Sequence, residues 1–172
     1  MEDNISNTVP LVSVAVMTYQ QVGFIEQCLT SILEQQTDFP FEIIIGEDES
    51  SDGTREICKS YAQEHPDKIR LFLRSRKDVI HINGYPTGRF NMMENIKSAR
   101  GKYIAICEGD DYWTDPFKLQ KQVELLEKNS NYVVCHHWQK YTYNLNGKWI
   151  EKDAPIQNQG YLKQTEGRVK DI

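Results

Sequence analysis

The sequence has no excess of positive charge. Its 20 Lys and Arg stand against 25 Asp and Glu, a formal net charge of −5, with a pI near 5.4. A surface built to hold nucleic-acid phosphates needs a basic excess or patch, so no nucleic-acid partner is expected. No apolar run approaches the roughly 18–20 residues of a membrane span. The start, Met1-Glu2-Asp3-Asn4, lacks the basic and apolar stretches of a signal peptide. The four cysteines, at 28, 58, 107 and 135, form no CxxC pair, so reduced, buried thiols in a cytoplasmic protein are expected. Missing too are the Gly-x-x-x-x-Gly-Lys and Gly-x-Gly-x-x-Gly phosphate loops and the Gly-x-Ser-x-Gly elbow of a nucleophilic serine. There is no repeat and no linker rich in Gly, Ser or Pro. What remains is a chain of 172 residues, 39% hydrophobic, which suffices for one domain with a real core.

Short β-branched runs alternate with helical periods. Leu11–Met17, Phe41–Ile45, Ile69–Leu73 and Tyr103–Cys107 read as buried strands, and Tyr132–Cys135 as a fifth. Between them, Ile25, Cys28, Leu29, Ile32 and Leu33 mark one helical stripe, Ile57, Tyr61 and Ala62 a second. Phe90, Met93 and Ile96 mark a third helix ending at Gly101, with Met92-Met93 in its core, and Leu119, Val123 and Leu126 a fourth. Asp52 and Asp115-Pro116 sit where helix caps belong. Asn146-Gly147 between two polar-apolar runs signals a hairpin. This order of strands and helices implies right-handed crossovers and a mostly parallel sheet, which binds ligands at the carboxyl ends of its strands.

The acids gather at those ends. Glu47, Asp48, Glu49 and Asp52 follow the second strand; Glu108, Asp110, Asp111 and Asp115 follow the fourth. Even spreading would put about two acids in these windows, not eight. So many carboxylates on one rim repel unless a cation or hydrogen-bond donors neutralise them. Glu108-Gly109-Asp110-Asp111 holds three acids where a capping turn needs one, and hard oxygen ligands of this kind suit Mg²⁺ or Mn²⁺. Cys135-His136-His137 is not read as a metal site, because adjacent strand residues point to opposite faces.

Val12–Tyr19, Ile43–Thr54 and Gly101–Trp113, in this order and spacing, resemble the family 2 glycosyltransferases over about residues 10–135. The resemblance implies an α/β, Rossmann-like GT-A nucleotide-sugar domain with a mostly parallel sheet, incomplete at its C-terminal side. It implies an inverting reaction that moves a sugar from a nucleoside-diphosphate donor, UDP-linked first, to a glycan or lipid-linked acceptor, as in polysaccharide or glycoconjugate synthesis. Thr18 and Tyr19 would line the base pocket, and Asp48 would accept the imide N–H of uracil. Glu108, near the ribose, and Asp110, the metal ligand, match the first and third positions of the DxD motif. Gly109 and Asp111 complete that turn, and Arg89 supplies a charge for the diphosphate.

The resemblance divides the chain into a polar extension (1–9), the GT-A domain (10–150) and a polar tail (151–172) that would begin an acceptor region. It places the protein in the cytoplasm, at the inner face of a membrane where the acceptor is lipid-linked. The sequence departs from the family's pattern at Glu108, one methylene longer than the usual aspartate, and at Met92-Met93, where an Arg-Asn pair is common. The catalytic base has no recognisable setting, with Glu151, Asp153 and Glu166 the acids in its region. A different reading remains open: a nucleotide-sugar-binding module without transfer activity of its own. A nucleotidyltransferase is disfavoured, since no glycine-rich, basic loop follows the first strand.

Overall fold

The structure, a computed structural model, describes residues 9–153. In chain order it runs β1 (Val12–Thr18), α1 (Ile25–Leu33), β2 (Phe41–Glu47), α2 (Thr54–Glu64) and β3 (Ile69–Leu73). A short 3-10 turn (Arg76–Asp78) and a small hairpin, β4 (His81–Ile82) with β5 (Tyr85–Pro86), lead to α3 (Arg89–Ser98) and β6 (Tyr103–Glu108). Then come α4 (Lys118–Lys128) and a hairpin of β7 (Lys140–Leu145) and β8 (Lys148–Asp153). The chain divides at Gln120 into two compact units.

The first unit is built on a parallel sheet in the order β3-β2-β1-β6. β1 and β2 are buried along their whole length, as their unbroken apolar runs require. The chain steps outward from β1 to β3, then returns across β1 to β6. Right-handed crossovers therefore put α1 and α2 on one face and α3 on the other.

α3 differs from the sequence reading in what it turns inward. Met93 and Ile96 are exposed, and the buried residues are Asn91 and Asn95. Asn91 Nδ2 donates to the Gly46 carbonyl at 2.7 Å, and Asn95 Nδ2 to the Val16 carbonyl at 2.8 Å. Gly46 makes room: a Cβ there would stand 2.6 Å from Asn95 Oδ1 and nearer still to Asn91. In α2 the buried residues are Thr54 and Cys58 rather than Ile57, Tyr61 and Ala62. Asp52 does close that helix start, one residue outside the cap position: its Oδ1 accepts from the Thr54 amide at 3.0 Å and the Thr54 hydroxyl at 2.7 Å. Cys28, Cys58 and Cys107 are buried free thiols; the hydrogen bond with Cys107, and then burial, push the Cys28 thiol up.

In the second unit the expected strand at Tyr132–Cys135 is not formed. Val133 and Val134 are exposed, and a short apolar run becomes a strand only when a partner strand completes its ladder. The Asn146-Gly147 hairpin is formed, with both residues at positive φ (52° and 81°), the backbone that a tight two-residue turn demands. Among the described residues no helix is long and apolar enough to cross a membrane.

Candidate functional site

The four parallel strands end on one rim, and β1 lies between the two acidic stretches. The Thr18 carbonyl accepts from the Asp48 amide at 3.1 Å, and the adjacent Met17 carbonyl accepts from the Gly109 amide at 2.9 Å. With strands roughly 4.8 Å apart, the Asp48 and Gly109 backbones lie about 10 Å from each other across β1. The structure thus brings Thr18, Tyr19, Asp48 and the Glu108–Asp111 turn to one edge.

On the Asp48 side the carboxylate is 2% exposed. Its Oδ2 accepts from Arg76 Nη1 at 2.7 Å, while Oδ1 is buried without a hydrogen-bond partner among the described residues. An unmet buried acceptor costs roughly 1–3 kcal/mol, and native proteins keep few of them away from sites with a use for them. The Arg76 guanidinium lies 4.0 Å from the centroid of the half-exposed Tyr19 ring.

The turn carrying Arg76 is tied down by Glu49, which accepts from the Arg76 amide at 2.6 Å and the Ser75 hydroxyl at 3.1 Å. Those bonds hold the Glu49 carboxyl below the usual carboxylate range. Glu49 itself sits at φ 63°, a left-handed conformation uncommon outside glycine and asparagine. Just beneath, the buried Glu47 carboxylate is neutralised by Arg55 and accepts from the Ser50 amide at 2.7 Å.

On the other side, the carboxylates of Glu108, Asp110 and Asp111 are exposed. Partial burial, with Asp110 and Asp111 close by, pushes Glu108 above the usual carboxylate range. Partial burial and Asp110 do the same to Asp111. Among the described residues no group of three or more His, Cys, Asp or Glu converges as a complete metal cage. Mg²⁺ and Mn²⁺ do not need one: one or two carboxylates suffice when phosphate oxygens and waters fill the remaining positions. Mutually repelling carboxylates on an open rim, Glu108 and Asp110 among them, are the donor type that such an ion takes.

Gly109 is dictated by packing. A Cβ there would stand 2.7 Å from the Thr18 hydroxyl and closer to Gln21. The Thr18 side chain is buried, and its hydroxyl donates to Gln21 Oε1 at 2.8 Å. Arg89 is exposed at the first position of α3. Glu151 lies on β8 paired with Lys140, whereas the Asp153 side chain and Glu166 fall outside the described residues.

Sequence reasoning missed Arg76, and also Arg74, whose guanidinium donates to Asn91 Oδ1 at 2.9 Å and to Asn95 Oδ1 at 2.7 Å. The available signal was an Arg-Ser-Arg stretch straight after a strand that ends on the same rim. The described residues of the first unit line cavities, among them these. One of about 490 Å³ is at the opposite end of the sheet among Pro10, Phe41, Lys68 and Arg100. The other, about 440 Å³, adjoins the acidic turn and is lined by Val22, Gln27, Ser31, Tyr112 and Trp113.

Comparison with known proteins points the same way. The family profile described as Glycosyl transferase family 2 matches residues 13–171. The Mycobacterium tuberculosis protein Rv1520 is 39% identical over 125 residues, 73% of this chain and 34% of its own length. The glycosyltransferase EpsJ of Bacillus subtilis is 36% identical over 127 residues, 73% of this chain and 33% of its own. The mannosyltransferase PcManGT from Pyrobaculum calidifontis, solved with GDP-Man and Mn²⁺, superposes with a TM-score of 0.55 at 27% identity, covering 70% of this chain and 33% of that one. The chain thus spans about a third of the length of these relatives. A match running through both acidic stretches, on a sheet of GT-A type, leaves one conclusion: the chain belongs to the family 2 glycosyltransferases.

Proposed function

We propose that this chain is the donor-binding part of an inverting glycosyltransferase that takes its sugar from a nucleoside diphosphate, UDP-linked first, and passes it to a glycan or lipid-linked acceptor. The observation that carries the reading is the buried Asp48 carboxylate with one oxygen unmet, beside Tyr19 and across β1 from an acidic turn. Asp48 accepts an imide N–H from the base and Tyr19 offers it a ring face, while Thr18 shapes the floor. Glu108 and Asp110 hold Mg²⁺ or Mn²⁺, with Glu108 also near the ribose; Gly109 and Asp111 complete the turn, and Arg89 serves the diphosphate. When bound, the ion offsets the negative charge that gathers on the leaving diphosphate. A GDP-linked donor is the second reading, favoured by the likeness to PcManGT; guanine presents a lactam N–H where uracil presents its imide N–H.

Calorimetry tests the proposal. UDP should bind in Mn²⁺ and lose at least several-fold in affinity in chelator, and Asp110→Asn should reproduce the chelator's effect with Mn²⁺ present. Equal affinity in all three samples would remove the metal from the site.

A further inference from the structure

The cavity beside the acidic turn is used by none of the roles above. One wall is α1, which contributes Glu26 and Gln27 near its start and Glu34 at its end. The other is Tyr112 and Trp113, which directly follow the acidic turn. The two walls are tied together. The Trp113 amide donates to Ser31 Oγ at 3.0 Å, and that hydroxyl donates to the Cys28 carbonyl at 2.8 Å. Further along, Gln35 Nε2 donates to the Asp115 carbonyl and the Gln36 amide to the Pro116 carbonyl, each at 2.8 Å. The cavity is therefore preformed, and its volume of about 440 Å³ is that of a small-molecule site.

Its lining selects a chemistry. Trp113 is buried under Lys118, 4.1 Å from its ring centroid, so it stiffens the wall, whereas the Tyr112 ring is 40% exposed. Such a ring offers a flat apolar face beside a polar tip. Glu26, Gln27 and Glu34 are exposed and bring carboxylate and amide groups. A pyranose matches this set: its C–H face lies on a ring, and its hydroxyls donate to carboxylates in charge-assisted hydrogen bonds. The sign of the charge narrows the choice. Glu26 and Glu34 line the cavity with no Lys or Arg, and Asp110 and Asp111 immediately precede Tyr112. Phosphate and uronate groups are repelled there.

We infer that this cavity is a subsite for a neutral sugar chain, the part of the acceptor set back from its reacting hydroxyl. The inference rests on the transferase reading, which requires such a chain near the acidic turn. Sugars held at a distance from the chemistry supply binding energy that positions the reacting end.

The experiment titrates the folded protein, without nucleotide, with neutral tetrasaccharides of glucose, mannose, galactose and N-acetylglucosamine, and with tetragalacturonate and tetralysine. At least one neutral tetrasaccharide should bind and should lose several-fold in affinity in Tyr112→Ala and in Gln27→Ala, each checked by thermal melting. UDP in Mn²⁺ should bind both variants as it binds wild type. Replacing both Glu26 and Glu34 by lysine should raise the affinity for tetragalacturonate several-fold. The subsite is overturned if no neutral tetrasaccharide binds, or if folded Tyr112→Ala and Gln27→Ala bind it as wild type does. Tetragalacturonate binding wild type as tightly as a neutral chain overturns it too, as does tetralysine binding in place of every sugar. If Tyr112→Ala does not fold, Gln27→Ala and the lysine pair decide. UDP binding without sugar binding brings down the subsite and leaves the donor reading. Sugar binding that these variants weaken, with no UDP binding, keeps the subsite and brings down the donor reading.

Discussion

Under the proposed function, truncating Asp48 removes the charge-assisted acceptor that receives the base. Asp48→Ala should therefore weaken UDP binding by about 1.5–3 kcal/mol, measured by calorimetry, while the fold survives because the variant also deletes the orphaned oxygen. Gly109 gives a contrasting expectation. Its side chain is a hydrogen because Thr18 and Gln21 fill the space above it, so Gly109→Ala must push the acidic turn away from β1. The strain should cost about 1–3 kcal/mol of stability, read by denaturant unfolding, and should loosen nucleotide binding as well. A Gly109→Ala protein with unchanged melting and binding would show that the turn has slack to give.

Among the elements, α3 is held to the sheet by polar contacts. Asn95 is fully buried and joins the Val16 carbonyl to Arg74. Asn95→Ala leaves both without that partner and should cost about 2 kcal/mol or more, whereas Met93→Ala, on the exposed face, should move the unfolding midpoint little. That inward polar face could not be read from periodicity, which counts apolar residues and so assigned the core to Met92 and Met93. The strands β1, β2, β3 and β6 were legible as short, largely apolar runs between helical periods, although Ile104 and Ile106 on the edge strand β6 are exposed rather than buried. The run at Tyr132–Cys135 has the same composition and no ladder, since pairing depends on a neighbour the run does not encode. Asp48 and the Glu108–Asp111 turn were legible because they directly follow strands. Arg76 was not: its place over Tyr19 depends on a turn fixed by Glu49, 27 residues earlier.

For the molecule as a whole, acid stability should hinge on Glu42. This carboxylate lies at the end of the sheet away from the acidic rim. It accepts from Ser13 Oγ at 2.7 Å, from the Arg100 amide at 3.0 Å and from the guanidiniums of Arg70 and Arg100 at 3.1 and 2.7 Å. Burial alone would raise its pKa, but the hydrogen bonds from Arg100, Ser13 and Arg70 together outweigh it and hold the carboxyl below 4.5. Its contribution is therefore present above about pH 4.5 and is lost as pH falls through the lower, folded value. Unfolding free energy should drop over that acidic range, and Glu42→Gln should be less stable at neutral pH and flatten the drop. The proposed transfer is a second matter for the whole chain. Glu151, the tail acid whose side chain is described, is occupied by Lys140. The 172-residue chain should thus release nucleotide to water faster than it forms glycoside when given nucleotide sugars and acceptors. Multiple-turnover glycoside formation lost in Glu151→Gln would instead locate the catalytic base on β8.

β2 carries a carboxylate at each end of its buried length, Glu42 and Glu47, and the arginines that satisfy them come from α2, β3 and the segment before β6. A slip of β2 by one residue would reverse the side chains on its two faces and strand both charges away from those arginines. The strand's register is thus proofread by electrostatics at both ends, by partners spread from Arg55 to Arg100. Arg55 and Arg70 check the alignment from the elements that directly follow β2, and Arg100 adds its check once the chain has doubled back across the sheet. Refolding in high salt, which screens the approach of those arginines, should lengthen that last phase more than the initial collapse.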